Sequence, residues 1–329
     1  TMNIIYHILR KLYSRFIPSS LEYNYKVIDG IDEINDLLFS MVSRGKPCMI
    51  ARYGATELSC VLNYISIKKG KKGNILNFIR SKTSFWWWNR NIMNQMQDWS
   101  GFFPSNEENL AKFSELMLED SQYVDALAVF NSVLTGIDSM QNYLTHCQSF
   151  FSLPYIDPFL SNSPWTRVLR SKKVLVVHPF AKLIEKQYLN RDKLFKNPDV
   201  LPEFELRTVE AVQSLGGDCN QFEDWFAALE WMKKEIDKEE YDVCLLGCGA
   251  YGFPLAAHVK RTGHIAIHVG GSLQLWFGIK GKRWENQKSR DFKGISDDFY
   301  LKLMNNPFWV RPDEYVSSHT KKVENGCYW

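Results

Sequence analysis

The sequence of 329 residues lacks the features that would place it in a simple class of protein. It has no run of about 18 apolar residues that could cross a membrane as a helix. The formal net charge of +3 is too small to predict nucleic acid as a partner. Hydrophobic residues make up 45% and charged residues 23%, as in ordinary globular proteins.

The cysteines lack both the close spacing of a zinc site and the even number of a disulfide framework. The seven are Cys48, Cys60, Cys147, Cys219, Cys244, Cys248 and Cys327. The first residues also lack the basic segment and small-residue cleavage site of a secretory signal peptide. Scattered thiols without a signal predict a cytoplasmic protein.

A basic amphipathic helix is predicted within residues 1–24. Apolar residues from Ile5 to Phe16 recur near helical spacing, and Arg10, Lys11 and Arg15 lie among them. Such a helix can bind an anionic membrane peripherally, which would place the protein at the inner face of the cell membrane. It fits equally well a helix that docks on its own domain or on a partner subunit, as in a homo-oligomer.

Short apolar strands alternate with helical segments along the rest of the chain. Strands are predicted at 47–54, 126–130, 150–156, 173–178, 241–246 and 264–269. This alternation is typical of an α/β fold with a doubly wound, mainly parallel, Rossmann-like sheet. We expect residues 25–295 to form this domain, with an aromatic-rich helical insertion at 75–120, and residues 296–329 to form a C-terminal extension.

A glycine-rich loop follows the fifth of these strands. Gly247, Gly249 and Gly252 form a G-x-G-x-x-G pattern that includes Tyr251 and opens a helix. Glycines there let a ligand approach the backbone, and the helix N-terminus attracts phosphate. A dinucleotide or S-adenosylmethionine site would need an acid at the end of the next strand, where Val269 stands. Another anion-binding use and a simple tight turn both stay open.

The sixth strand ends in a second glycine-containing turn. His268, Gly270 and Gly271 would let a ligand approach the backbone, and a basic segment follows. Positive charge beside the aromatic rings of Trp276 and Trp284 suits a diphosphate with its base or sugar. The alternative is a solvated basic turn. The basic residues of this segment are Lys280, Lys282 and Arg283.

Most of the chemically active side chains lie just beyond predicted strand ends. In a doubly wound sheet, ligands bind outside the carboxyl ends of the strands, so these groups are expected to meet in one crevice. A histidine there can act as a general base or a phosphate donor, but it is as often structural. The groups are Arg52, Glu57, Asp157, His178 and the loops 247–252 and 268–272.

The order of these segments resembles the GT-D-fold glycosyltransferases, a bacterial group first recognised as a domain of unknown function. That family opens with an Arg-aromatic-Gly-Asp-Gly-Glu motif, which Arg52-Tyr53-Gly54-Ala55-Thr56-Glu57 resembles. Its Pro-Tyr-Ile-Asp-like segment is similar to Pro154-Tyr155-Ile156-Asp157. The resemblance covers residues 30–285 in order and is strong at 49–58, 153–158 and 242–278.

The resemblance implies a nucleotide-sugar site at Arg52, Tyr53, Gly54 and Glu57. In the family, an Asp-x-Glu pair is associated with the donor and a divalent cation; here the Asp position is Ala55. A Mn²⁺ or Mg²⁺ ion would then depend on Glu57 and the diphosphate. We favour replacement of the metal by Arg52 and the downstream basic residues. No tightly bound cofactor is expected, and a protein without activity is the third outcome.

The sequence thus predicts a glycosyltransferase that moves a sugar from a nucleoside-diphosphate sugar to a glycan or lipid-linked acceptor. The setting would be bacterial surface polysaccharide or glycoprotein synthesis. Glu57, Asp157 and His178 are the catalytic candidates, the last two as acid or base. The alternatives are an S-adenosylmethionine-dependent methyltransferase or other nucleotide-binding enzyme, and a non-catalytic subunit of a polysaccharide-assembly complex.

Overall fold

The computed structural model describes residues 2–16, 23–70, 75–214, 221–285, 296, 298–316 and 328–329. The strands in these residues are β1 (Val27–Ile28), β2 (Cys48–Arg52), β3 (Ala126–Val129), β4 (Ser149–Ser152), β5 (Lys173–His178), β6 (Glu205–Glu210), β7 (Val243–Leu246) and β8 (Ile265–His268). The α-helices in these residues are α1 (Met2–Phe16), α2 (Ile31–Ser43), α3 (Ala55–Lys69), α4 (Ile75–Ile79), α5 (Arg90–Asp98), α6 (Glu107–Ser121), α7 (Leu134–Asp138), α8 (Ala181–Tyr188), α9 (Arg191–Leu194), α10 (Trp225–Asp237), α11 (Gly252–Arg261), α12 (Leu273–Trp276), α13 (Lys282–Glu285) and α14 (Phe299–Met304).

The strands form one parallel sheet in the order β1-β4-β3-β2-β8-β7-β5-β6. The central strands β3, β7 and β8 are buried along their whole length, and β2 is buried up to Arg52. A strand that is covered on both faces has a continuous apolar run in its sequence. The central strands could be predicted from these runs. The predicted doubly wound, mainly parallel fold is confirmed.

The direction of each connection decides which face of the sheet its helix covers. From β1 to β2 and from β5 to β6, α2 and α8 pack on one face. From β2 to β3, from β6 to β7 and from β7 to β8 the chain moves the opposite way, and α3, α10 and α11 pack on the other face. Right-handed crossovers produce this pattern. The chain leaves β2 and β7 toward one face and leaves β5 and β8 toward the other, so a crevice opens between them.

The insertion between β2 and β3 differs from the helical prediction at its aromatic centre. The segment between α4 and α5 follows an irregular path, and the Asn63 side-chain amide donates to the carbonyls of Phe85 and Trp87 at 2.7 and 2.9 Å. These bonds replace the ones that a helix would supply. The rings of Phe85, Trp86 and Trp87 lie 5.1 to 5.5 Å from the Phe78 ring. The aromatic residues therefore form a hydrophobic cluster.

Within the described part of the chain, no helix combines the length and the apolar character needed to cross a bilayer. Free thiols occur there at Cys48, Cys60, Cys147, Cys244 and Cys248. Cys219 and Cys327 lie outside the described residues. The predicted boundaries at residues 24 and 295 stay predictions, since residues 17–22 and 286–295 are also outside them.

Candidate functional site

A cavity of about 320 Å³ opens at the carboxyl ends of β2, β8, β7 and β5. Small-molecule sites commonly have volumes from roughly 300 to 1,000 Å³. The loops after these strands form most of its wall, together with residues that follow α5, β3 and β6 and with residues 328–329. Its lining includes Arg52, Gly54, Ala55, Thr56, Glu57, Trp99, Ser100, Gly101, Phe130, Ser132, His178, Gln213, Ser214, Gly247, Cys248, Gly249, Tyr251, His268, Gly270, Gly271, Gln274, Arg283, Tyr328 and Trp329.

Arg52, the last residue of β2, is held between an aromatic ring and a glycine. Its guanidinium carbon lies 5.2 Å from the centre of the Phe130 ring. A Cβ atom placed on Gly270 would lie 2.6 Å from Arg52 Nη1, and Gly270 has a φ of +83°. Both the space and the backbone conformation therefore require glycine there. The arrangement fixes a planar cation at the mouth of the central strands.

Glu57 lies in the first turn of α3 and lines the same cavity as Arg52. Its carboxylate folds back over Gly54, so that a Cβ atom at Gly54 would overlap it. Glycine at this N-cap therefore makes room for the carboxylate beside the unpaired N–H groups of the first turn. The N-terminal end of a helix stabilises negative charge, which suits either Glu57 itself or a bound phosphate.

The residues that face the cavity do not form a two-carboxylate metal site. Among the described residues that line it, Glu57 is the one carboxylate, and Ala55 occupies the place of the second. Throughout the described chain, no group of three His, Cys, Asp or Glu side chains could hold a metal ion. The donor set therefore does not fit the cation site that the family resemblance implies.

The glycine-rich loop after β7 brings three strand ends into contact. A Cβ atom on Gly247 would lie 2.8 Å from His178 Cδ2, 2.9 Å from the Gly270 carbonyl oxygen and 3.0 Å from Leu273 Cβ. Gly249 has a φ of +57°, and the space beside it is open up to Ser100. Gly247 thus allows the loops to pack, while Gly249 leaves backbone exposed to a ligand.

Gly252 and Tyr251 are placed differently from the first two glycines. Gly252 begins α11 and would collide with the His268 ring if it carried a Cβ atom. Tyr251 is buried and stacks on Trp225 with ring centres 4.9 Å apart. Its hydroxyl lies 3.4 Å from Ser214 Oγ. Both residues are therefore part of the packing behind the loop, although Tyr251 also borders the cavity.

His178 and His268 both border the cavity and are nearly fully buried. Burial lowers the pKa of each imidazole to about 3, and the nearby Arg52 charge contributes at His268. The Phe180 backbone N–H donates to His178 Nδ1 at 2.9 Å, which leaves the proton on Nε2. A neutral imidazole with so low a pKa is a weak base at neutral pH. His178 is suited to donate a hydrogen bond to an anion.

Asp157 does not reach the cavity. Its Oδ1 atom accepts hydrogen bonds from Ser272 Oγ and Trp276 Nε1, both at 2.8 Å, on the opposite side of the sheet. Burial raises the pKa of this carboxyl to about 6, and the two hydrogen bonds oppose the rise. Asp157 therefore anchors the segment that follows β8. In this position its carboxyl group does not contact a ligand in the cavity.

Several of the predicted binding residues do not line the cavity. Tyr53 is fully buried, bonds the Ser121 hydroxyl and stacks on Phe253 at 4.6 Å. The side chains of Lys280 and Lys282 are absent from the lining. Trp276 and Trp284 are buried in the core and offer no exposed ring face.

Arg283 is the residue of the basic segment that does reach the cavity. It donates from Nη1 to the Tyr328 hydroxyl at 2.7 Å and lies over the same ring at 5.5 Å. Tyr328 in turn touches the position where a Gly271 side chain would start. The expected basic patch is therefore reduced to one arginine beside an aromatic ring.

The sequence did not indicate the far wall of the cavity. It consists of residues after α5, β3 and β6, of one residue of α12 and of residues 328–329, which the fold brings from distant parts of the chain. Phe130 could have been found, since it directly follows β3 and strand ends are where ligands bind. The residues concerned are Trp99, Ser100, Gly101, Phe130, Ser132, Gln213, Ser214, Gln274, Tyr328 and Trp329.

No protein-family model and no curated protein matches the chain. Its structure is similar to the selenomethionine-substituted structure of domain of unknown function 1792, at 14% identity over 83% of this chain and 85% of that chain, with a TM-score of 0.41. A second neighbour is described as showing that the highly conserved domain of unknown function 1792 has a distinct glycosyltransferase fold. It is 14% identical over 80% of this chain and 82% of that chain, with a TM-score of 0.37.

Both neighbours are domains of unknown function 1792, and the second is described as a distinct glycosyltransferase fold. Such low identity and TM-scores below 0.5 say nothing about the donor, the acceptor or the reaction. Evidence on the chemistry comes from the cavity itself.

Proposed function

We propose that the chain is a glycosyltransferase that transfers a sugar from a nucleoside-diphosphate sugar to a glycan or lipid-linked acceptor, in the synthesis of bacterial surface polysaccharide or glycoprotein. One observation carries the proposal. Among the described residues, a fixed arginine, Arg52, and a single carboxylate, Glu57, face one cavity together with the exposed backbone of the glycine-rich loop. Anion binding and proton acceptance can therefore occur in the same cavity.

The diphosphate would bind at Arg52. A guanidinium presents two parallel N–H groups to phosphate oxygens, and stacking on Phe130 holds the plane of the group in place. The open backbone at Gly249 adds an N–H donor, and the first turn of α3 adds others once the Glu57 carboxylate turns toward the acceptor. The Nε2–H group of His178 is a further neutral donor. Together these groups stabilise the negative charge that develops on the leaving diphosphate.

The base or sugar of the donor would stack on Trp99. This residue directly follows α5 and lines the cavity, and 44% of its surface is exposed. A large exposed ring beside an anion site offers a flat apolar face for a base or for the carbon–hydrogen face of a sugar. Tyr328 supplies a second ring on the wall near Arg283.

Glu57 would accept the proton of the acceptor hydroxyl. The acceptor oxygen forms a bond to the anomeric carbon, the bond from that carbon to the phosphate oxygen breaks, and the nucleoside diphosphate leaves with the electron pair. Glu57 is the carboxylate that the described lining offers for this proton, since Asp157 lies elsewhere and His178 is a weak base. Because the residues do not fit a two-carboxylate metal site, the positive charge of Arg52 takes the place of a cation and stabilises the negative charge of the leaving diphosphate.

A thermal-shift screen tests the proposal. The intact protein is melted with nucleoside diphosphates, sugar nucleotides, inorganic diphosphate and S-adenosylmethionine, each with and without Mn²⁺. Because a ligand that binds the folded state raises the melting temperature, we expect a shift with one class of sugar nucleotide, with no requirement for Mn²⁺. The Arg52→Gln variant should lose that shift.

Three outcomes would contradict the proposal, each in a different part. A shift with S-adenosylmethionine alone would identify the glycine-rich loop as a methyltransferase site. Binding of a sugar nucleotide without release of nucleoside diphosphate in the presence of any glycan or lipid-linked acceptor would indicate a non-catalytic binding subunit. A shift that appears only with Mn²⁺ would mean that the phosphates and Glu57 hold a cation after all.

A further inference from the structure

Helix α1 docks on the insertion with its polar side. Arg10 donates from Nη1 to the Thr83 carbonyl at 2.7 Å, and its guanidinium carbon lies 4.7 Å from the centre of the Phe78 ring. Tyr6 packs edge-on against Trp86 at 5.5 Å, and His7 lies 5.6 Å from Phe85. The half-buried residues of the helix are therefore the polar and amphipathic ones.

The apolar side of α1 faces outward. Its side chains are between 41% and 78% exposed, although burial of such groups is the usual reason for an amphipathic helix to dock. Their spacing places all of them along one stripe of the helix. Leu76 of α4, the helix against which α1 packs, is 65% exposed as well. The stripe consists of Ile5, Ile8, Leu9, Leu12 and Phe16.

Cations flank this stripe. Lys11 and Arg15 are exposed, and each follows a stripe residue by three positions, which makes them its neighbours on the helix surface. Lys82 is exposed next to Thr83, the residue that Arg10 binds. Basic side chains beside an exposed apolar stripe complement a surface that is apolar inside and anionic at its edge.

We propose that α1 is a membrane-surface helix, which inserts its apolar stripe among the lipids of an anionic bilayer while its polar side holds the rest of the protein. A second copy of the chain would need a larger contact. A stable protein interface buries about 800 Å² on each partner. The five partly exposed side chains of the stripe, on one helix, supply less area than that. A second copy would also bring Lys11 and Arg15 close to their equivalents, whereas anionic headgroups attract them.

Vesicle sedimentation with the full chain tests this proposal. The protein is mixed with vesicles of phosphatidylcholine alone and with vesicles of equal parts phosphatidylcholine and phosphatidylglycerol, at low and high salt. We expect strong binding to the mixed vesicles, weak binding to phosphatidylcholine, and loss of the difference at high salt. No donor and no turnover are involved, so this result is independent of the proposed transfer reaction.

Two double variants separate the apolar and the electrostatic contributions. Ile8→Ser with Leu12→Ser should weaken binding at least about tenfold on both kinds of vesicle. Lys11→Gln with Arg15→Gln should weaken it about fivefold for each charge removed, on the anionic vesicles alone. The matched control is Leu189→Ser with Leu301→Ser, which removes leucines that are 80% and 50% exposed outside α1 and should leave binding unchanged.

The proposal has clear points of failure. Wild-type protein that stays in the supernatant with both kinds of vesicle overturns it, as does equal binding by wild type and the Ile8→Ser/Leu12→Ser variant. Light scattering on the protein without vesicles tests the remaining alternative, in which a second copy of the chain covers the stripe. A dimer that this variant converts to a monomer, without vesicle binding by the wild type, would assign the stripe to a second copy of the chain.

Discussion

Two carboxyl groups that follow strands of the same parallel sheet have opposite surroundings. Glu57 comes after β2, in the first turn of α3, and lines the cavity that Arg52 also lines. Asp157 comes after β4, is 4% exposed and accepts hydrogen bonds from Ser272 and Trp276. The first carboxylate can meet a ligand, and the second cannot.

The direction of the connection explains the difference. After β2 the chain turns toward the face that carries α3 and α11, and the first turn of α3 lines the crevice at the switch point. After β4 it turns through short 3₁₀ turns to the other face, where Ile156 and Trp276 are part of the core. A position at a strand end is therefore not enough to make a residue functional. The connection must also leave the side chain at the switch point.

The largest effect is expected at Glu57. Glu57→Gln removes the proton acceptor but keeps the size of the side chain, so turnover should fall by about 10² to 10⁴ while donor affinity changes little. The measurement is release of nucleoside diphosphate, with the donor that gives the largest thermal shift. Glu33→Gln, an exposed glutamate in the first turn of α2, serves as the control. Full turnover by the Glu57 variant would remove the residue from the reaction.

At Asp157 the expected effect is on stability and its pH dependence. The pKa of this carboxyl is about 6 in the folded protein against 3.8 as the ordinary value. Between these values the folded state binds more protons than the unfolded state, so stability falls as the pH rises. The contribution of Asp157 to the free energy of unfolding should fall by on the order of 3 kcal/mol over this range.

Asp157→Asn should remove that part of the slope, because the amide does not titrate and its Oδ1 can still accept both hydrogen bonds. Urea unfolding at a series of pH values between 4 and 7 measures it. The variant should gain stability relative to the wild type as the pH rises. Asp192→Asn, at an exposed position, is the control. Parallel curves for the wild type and the Asp157 variant would contradict a buried, ionised carboxyl.

The two arginines of the cavity should differ in a smaller, graded way. Arg52→Gln should weaken binding of inorganic diphosphate roughly tenfold to a hundredfold, the usual worth of a hydrogen bond to a charged group. Arg283→Gln should cost less than about threefold, because Arg283 is exposed and screened by solvent. Isothermal calorimetry gives both values. Equal losses would mean that net charge, and not the fixed guanidinium of Arg52, selects the anion.

The central strands could be predicted from the sequence because they are buried on both faces. The edge strand β6 could not, since Glu205 and Glu210 at its ends are exposed and Arg207 is half-buried, so it has no apolar run. The predicted strand at 150–156 is cut short for a different reason: a 3₁₀ turn that contains Pro154 begins at Leu153, directly after Ser152. Local apolar pattern therefore indicates strands in the centre of the sheet better than at its edge.

The site was predictable where it depends on strand ends and not where it depends on packing. Arg52 and His178 are the last residues of their strands, and the structure places both at the cavity. Lys280 and Lys282 looked equivalent to Arg283 in sequence, yet only the last faces the cavity among these three. Which side of a turn faces a cavity depends on contacts with distant segments, such as the one between Arg283 and Tyr328.

A modest effect, well below that of Arg52, is expected at Trp99, and it separates binding of the base or sugar from binding of the phosphates. Trp99→Leu keeps an apolar side chain but loses the ring, worth about 0.5 to 1.5 kcal/mol, or roughly twofold to tenfold in affinity. A nucleoside diphosphate should therefore bind more weakly, while inorganic diphosphate, which has nothing to stack, should bind as before.

The matched control for Trp99 is Trp231→Leu, since Trp231 is 38% exposed, against 44% for Trp99, and does not line the cavity. Calorimetry with the two ligands on the two variants gives four affinities, of which one should change. If the Trp99 variant weakened both ligands equally, the ring would act by supporting the Arg52 wall and not by stacking. No ring would then be known to stack on the base of the nucleotide, and Tyr328, which also lines the cavity, would be the next residue to substitute.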